Sequence, residues 1–205
     1  TAVTTKLAAY SKDVVYEEGK SGKAVRLGDY GLKLDEENLG KEYTVSAWVK
    51  PDGTLAENQN VLFLGYHNPE KWLAVSGKKT GTNTCKIWEN GNGYKWSTFW
   101  SPEIDTEGWH NITLSGKSGQ VTAYVDGIKL GTHDSNDPLD GENQGIYLGV
   151  TNWDAEFEGL VDEVNVYDIA LTEKEVQEQN KADYTQMLQE KLEKAVTDEN
   201  LLGKN

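Results

Sequence analysis

The chain has 205 residues, enough for one domain with a sizeable core and short of two ordinary ones. Its 34 acidic against 20 basic residues give a formal net charge of −14, which repels phosphate backbones and anionic membranes and argues against a nucleic-acid partner. Seven Trp, ten Tyr and 37% hydrophobic residues exclude a disordered chain, and the single Cys85 excludes an internal disulfide and a cysteine-rich zinc site.

The predicted elements are mostly strands. Tyr43 to Val49 alternates between Gly40 and the turn at Pro51-Asp52-Gly53. Val61 to Leu64, Trp72 to Val75, Cys85 to Glu89, Tyr94 to Trp100 and Trp109 to Ser115 follow, each closed by Gly, Asn or Pro. Val121 to Val125 then runs through Asp126-Gly127 into Ile128 to Leu130, a hairpin signal because Asp-Gly accepts the positive φ of a type I′ turn. Ile146 to Val150 and Leu160 to Tyr167 complete a set with no helices between. The pattern predicts an all-β fold, an antiparallel jelly-roll β-sandwich of about a dozen strands with a C-terminal α-helix. The division falls at 1–171 for the sandwich and 172–205 for a helix leading toward a following domain. Thr172 and Glu175 form a capping box there, and Val176, Tyr184, Met187, Leu188, Leu192 and Ala195 recur at helical spacing. No apolar run reaches the roughly 20 residues of a membrane helix, so membrane insertion is not expected. No signal peptide is visible and the chain opens at Thr1, which reads as a module of something longer.

Several segments occur in an order that identifies a family. They are Gly22-Lys-Ala-Val-Arg-Leu27, Tyr43-Thr-Val-Ser-Ala-Trp-Val-Lys-Pro51, Trp109-His-Asn-Ile-Thr-Leu114 and Ala123-Tyr-Val-Asp-Gly-Ile-Lys-Leu-Gly131. Phe157-Glu-Gly-Leu-Val-Asp-Glu-Val-Asn-Val-Tyr167 and Ala170-Leu-Thr-Glu-Lys-Glu175 close the series. Together they resemble the laminin-G-like branch of the concanavalin-A-like jelly rolls, common in bacterial multidomain glycosidases and surface proteins. The resemblance implies a non-catalytic, lectin-like carbohydrate-binding module of an extracellular or cell-surface bacterial protein, with a glycan ligand and neighbouring domains of the same polypeptide as partners. Such domains usually open with a strand bearing an aromatic-Asp-Gly element, of which residues 1 to 21 show no clear copy. The family often holds one structural Ca²⁺ through oxygen ligands, and Asp162 occupies a frequent ligand position. Asp134, Asn136, Asp137 and Asp140 offer a second possible cage, although Asp and Asn gather in turns for backbone reasons as well.

Glu103, Asp105 and Glu107 raise the enzyme alternative. Laminarinase-like relatives carry three alternating acids on a cleft strand, with the outer two as nucleophile and general acid/base of a retaining mechanism. Pro102 and Gly108 bracket the segment, which favours a solvated loop joining two strands. His67, His110 and His133 lack metal-ligand spacing, and the sequon at Asn111 sits in a predicted strand. A protein-interaction or spacer module is the remaining alternative.

The aromatic supply between Trp72 and Trp100 carries the binding expectation. In the strand at Trp72, Leu73 and Val75 share one face, so Trp72 takes the other; Trp88 likewise opposes Cys85 and Ile87. Both are expected to face solvent as stacking platforms. Tyr94, Trp96 and Trp100 join Trp88 if the connecting loop is odd in length, and turn inward if it is even. Trp153, in the polar run Thr151-Asn-Trp-Asp154, is a further ring. His67, Asn68, Lys86 and Lys95 are the nearest polar candidates for sugar hydroxyls or an acidic group. Trp48 and Trp109 are assigned to the core.

Overall fold

The structure is a computed structural model that describes residues 1–4, 7–34, 38–52, 59–66, 71–76, 84–91, 95–103 and 108–202, the stretches 84–91 and 95–103 by their backbone. In chain order the strands are β1 (Ala2–Val3), β2 (Val15–Glu18), β3 (Lys23–Leu27), β4 (Gly31–Lys33), β5 (Glu42–Pro51), β6 (Asn60–Tyr66) and β7 (Lys71–Ser76). They continue as β8 (Thr84–Gly91), β9 (Lys95–Glu103), β10 (His110–Lys117), β11 (Gln120–Val125), β12 (Ile128–Asp134), β13 (Gly145–Leu148) and β14 (Gly159–Tyr167), before helix α1 (Glu173–Leu202). Two seven-stranded sheets result. Sheet A runs β1-β4-β13-β6-β7-β8-β9 and sheet B runs β12-β11-β10-β5-β14-β3-β2. Every described pairing is antiparallel. The jelly-roll sandwich is as predicted.

Alternation builds the core. Leu62, Leu64, Leu73 and Val75 of sheet A meet Val45, Ala47, Val49, Ile112, Leu114, Ala123 and Val161 of sheet B. The Asp126-Gly127 turn has positive φ at both residues, 52° and 75°, as a type I′ hairpin requires. β1 to β4 went unread in the sequence; β1 and β4 are only two and three residues long and β2 is exposed throughout, so no hydrophobic alternation marks them.

Helix α1 crosses the outer face of sheet B. Near its start Lys129 of β12 pairs with Glu173 at 3.9 Å, and at the far edge Lys194 bonds Glu18 of β2 at 2.5 Å. At 1.5 Å per residue, Glu173 to Lys194 spans about 31 Å, close to the ~29 Å width of seven strands. The expected capping box forms: Thr172 donates its N–H to Glu175 Oε2 at 2.8 Å, and Glu175 N–H returns to Thr172 Oγ1 at 3.4 Å. The apolar stripe fares differently. Val176 is buried at 2% exposure, whereas Leu188 and Leu192 stand 50% and 65% exposed. The helix meets a polar face there, and among the described side chains hydrogen bonds and ion pairs hold it beyond Val176, as Trp48 does with Asp183 and Glu18 with Lys194.

Those contacts correct the placement of two tryptophans. Trp48 is buried, but on the helix side of sheet B rather than between the sheets; its indole N–H donates to Asp183 Oδ2 at 3.1 Å and Lys20 Nζ sits 4.7 Å from its ring centroid. Trp109 is half-buried and lines an open cavity.

Candidate functional site

Sheet A carries a second apolar layer on the side away from sheet B. Phe63, Trp72, Ala74, Tyr147, Val3 and Val150 form it, all buried. Residue 63 alternates with Leu62 and Leu64, and Trp72 with Leu73, so these rings must emerge on the outer face. Gly145 lets the Tyr147 ring lie along the sheet, since a Cβ there would come within 2.9 Å of it.

Trp153 sits on top of this layer. Its ring centroid is 4.9 Å from Trp72 and 5.8 Å from Phe63, the latter edge-on at 87°. The loop is fixed beneath it. Thr151 is fully buried and its hydroxyl accepts from Asp154 N–H at 3.0 Å, while Asp154 Oδ2 accepts from Asn60 Nδ2 at 2.7 Å. Trp153 therefore presents a ring that is 42% exposed on a rigid base. Trp72 is that base. At 2% exposure it is not the solvent-facing platform its alternation suggests, because Trp153 and Phe63 cover it.

The register extends the face across β8 and β9. Ala74 pairs with Trp88, Trp88 with Thr98, Trp72 with Asn90, and Asn90 with Trp96. Ser76 pairs with Lys86 and Lys86 with Trp100. Gly91 opposite Lys95 leaves an odd, three-residue connection, so Trp88, Trp96, Trp100 and Lys86 fall on the face of Trp72. Lys95 falls on the other face, a correction to its grouping with the rings. Tyr94, His67 and Asn68 lie outside the described residues.

The acidic triplet is placed in part. β9 continues through Ser101 and Pro102 to Glu103, so the strand runs further than the expected loop start. β9 is the edge of sheet A, where a proline removes no needed ladder bond. Asp105 and Glu107 lie outside the described residues.

Two of the calcium candidates, Asp162 and Asp137, accept from backbone donors. Asp162 Oδ2 accepts from Ser21 N–H at 3.1 Å and Oδ1 from Glu163 N–H at 2.9 Å. Asp137 Oδ1 caps Gly119 N–H at 2.7 Å, and Asp140 N–H donates to Asp137 O at 3.0 Å. Among the described residues no three or more His, Cys, Asp or Glu side chains gather into a metal-holding group.

With the fold and this face described, the comparisons are direct. The family model for the concanavalin A-like lectin/glucanases superfamily (Laminin_G_3) matches residues 26–177. The chain belongs to that superfamily. Comparison with curated proteins gives no match. Among solved structures, domain 4 of AbnA, a GH43 extracellular arabinanase from Geobacillus stearothermophilus, in complex with arabinotriose, is 28% identical with a TM-score of 0.72, covering 87% of this chain and 86% of that one. The Ruminococcus gnavus IT-sialidase CBM40 bound to alpha2,3 sialyllactose has a TM-score of 0.59 at 17% identity, covering 82% of this chain and 100% of that one. A SAP-like pentraxin from Limulus polyphemus follows at a TM-score of 0.56 and 16% identity, over 72% and 73% of the two chains. At those lower identities the likeness is one of fold.

Sequence reasoning missed Phe63 and Tyr147. Phe63 lies in an uninterrupted apolar run, Val61 to Leu64, where no polar alternation separates the two faces. The alternation of Trp72 and Trp88 and the polar run Thr151-Asn-Trp-Asp154 are the sequence signals that point to this surface.

Proposed function

We propose that the chain is a non-catalytic carbohydrate-binding module of a secreted or surface-attached bacterial glycan-degrading protein, and that it binds through the outer face of sheet A. The observation that carries this reading is Trp153, a half-exposed indole held on Trp72 and Phe63 and continued by register toward Trp88, Trp96 and Trp100. A flat ring stacks on the C–H face of a pyranose or furanose, while Asp154 and Lys86 supply polar groups nearby or on the same face. Kinship with an arabinanase domain bound to arabinotriose supports a neutral plant-type glycan as ligand. The charge of −14 disfavours polyanions.

A shallow platform buries little ligand, so affinity falls in the micromolar to millimolar range, about −4 to −8 kcal/mol. Attachment to an enzyme raises effective concentration in compensation. A glycan array on the wild type beside Trp153→Ala and Trp88→Ala tests this. Binding to neutral glycans that both substitutions weaken supports it; undiminished binding in both variants places the site elsewhere. Absence of binding across the array leaves the spacer reading. Release of reducing sugar from β-glucans, abolished by Glu103→Gln, would establish the hydrolase instead.

A further inference from the structure

Helix α1 leaves one row of sheet B open. Leu160 of β14 pairs with Lys50 of β5 on one side and Arg26 of β3 on the other. With Trp109, Asp52, Glu17, Glu18 and Gly19 these residues line a cavity of about 450 Å³. That volume lies within the range of small-ligand sites. Leu160 forms an apolar floor, Trp109 an aromatic wall, and the rest is charged.

The charged groups are ordered. Arg26 donates from Nε and Nη2 to both oxygens of Glu17, at 2.8 and 3.0 Å, and from Nη1 to both oxygens of Asp52, at 2.9 and 3.0 Å. One guanidinium thus locks two carboxylates in place. Each carboxylate has about four acceptor positions, of which Arg26 occupies two, so each retains roughly two for other donors. The lining carries three carboxylates against two cations, and Lys194 of helix α1 on Glu18 brings the charges into balance. Arg26 is engaged by its two carboxylates, and the chain's net charge of −14 disfavours a polyanionic ligand. Clustered hydroxyl donors beside an indole are the chemistry the cavity complements.

We propose that this cavity is a second binding site, for a neutral oligosaccharide, on the opposite side of the sandwich from Trp153, so that one chain holds two glycan segments. The inference rests on the carbohydrate-binding reading for the class of ligand, and is independent of it for the place. Two sheets stacked about 10 Å apart separate the sites, so no single short oligosaccharide reaches both. Two weak sites on one polymer reinforce each other through effective concentration.

The test is an NMR titration of the ¹⁵N-labelled chain with arabinotriose and, separately, with xylotriose, mannotriose and trigalacturonic acid. The indole N–H of Trp109 and the amides of Arg26, Lys50 and Leu160 shift with a neutral trisaccharide along their own saturation curve. Those shifts persist in Trp153→Ala and weaken about tenfold in Asp52→Asn, which keeps the shape of the side chain. Trigalacturonic acid leaves them unmoved. Shifts confined to Trp153 and its face would overturn the second site and leave the first standing. Shifts at Trp109 alone would support this site and relocate the function. Shifts at Trp109 that Asp52→Asn does not alter, or that trigalacturonic acid reproduces, would overturn the recognition proposed, and no shift with any sugar would sink both.

Discussion

Trp72 and Trp153 look alike in sequence and differ in what they do. Trp72→Ala opens a cavity beneath Phe63 and Tyr147 and is expected to cost about 3–5 kcal/mol of stability. Trp153→Ala removes a ring that is 42% exposed and should cost under about 1 kcal/mol while abolishing most sugar binding. Chemical denaturation of both variants beside a binding titration separates support from platform. Asp162 is a third case, buried with two backbone N–H groups on its oxygens. Asp162→Ala orphans both donors and is expected to destabilise by about 2–4 kcal/mol in urea melts. Those two amides leave roughly two acceptor positions on the carboxylate, so melts with EDTA and with millimolar Ca²⁺ test the expected metal site: a calcium-dependent rise supports it, and an unchanged melting temperature removes it. At this scale the sequence reveals which residues are aromatic and, for Trp72 and Trp88, which face of the sheet each takes. It hides which ring lies over which, because Trp153 reaches Trp72 from a loop 81 residues away.

The hairpin of β8 and β9 was decided by loop parity, which alternation alone leaves open: one residue more or fewer turns Trp96 and Trp100 to the opposite face. Helix α1 was legible at its start, where the capping box is a local signal, and illegible at its grip, which depends on the polar face of sheet B. Ser46, Asn111 and Thr113 are buried there and bond one another, with Asn111 Nδ2 on Ser46 Oγ at 3.0 Å. Thr172→Ala should therefore cost about 1 kcal/mol, read as a loss of helical ellipticity on mild heating. Glu163 faces the helix at the bulge of β14. Burial pushes its carboxyl above the ordinary 4.5, the charges of Asp162, Asp183 and Glu190 add to this, and Lys20 opposes it. A raised carboxyl binds protons more tightly in the folded chain, so its penalty is absent below pH 4.5 and grows as pH rises through the shifted value. Glu163→Gln is expected to raise the melting temperature at pH 7 and to leave it unchanged at pH 4. An equal gain at both values would contradict the electrostatic origin.

For the whole molecule, two sheets with a shared core leave two outward faces, and the chain treats them differently. Sheet B is crossed by a polar helix that leaves one charged groove; sheet A is covered by rings and has no helix over it among the described residues. The sandwich itself was readable from the alternating strands and Gly-closed turns, because both are local rules. The division of labour between faces was not, because it depends on which outer residues a distant segment covers. The central claim is that the Trp153 face of sheet A binds a neutral glycan. Isothermal titration of arabinotriose into wild type and Trp153→Ala, at a temperature well below both melting transitions, tests it most directly. The account predicts a weak, saturable wild-type isotherm and at least a tenfold loss in the variant, about 1.4 kcal/mol or more; an unchanged isotherm in a folded Trp153→Ala protein would contradict it.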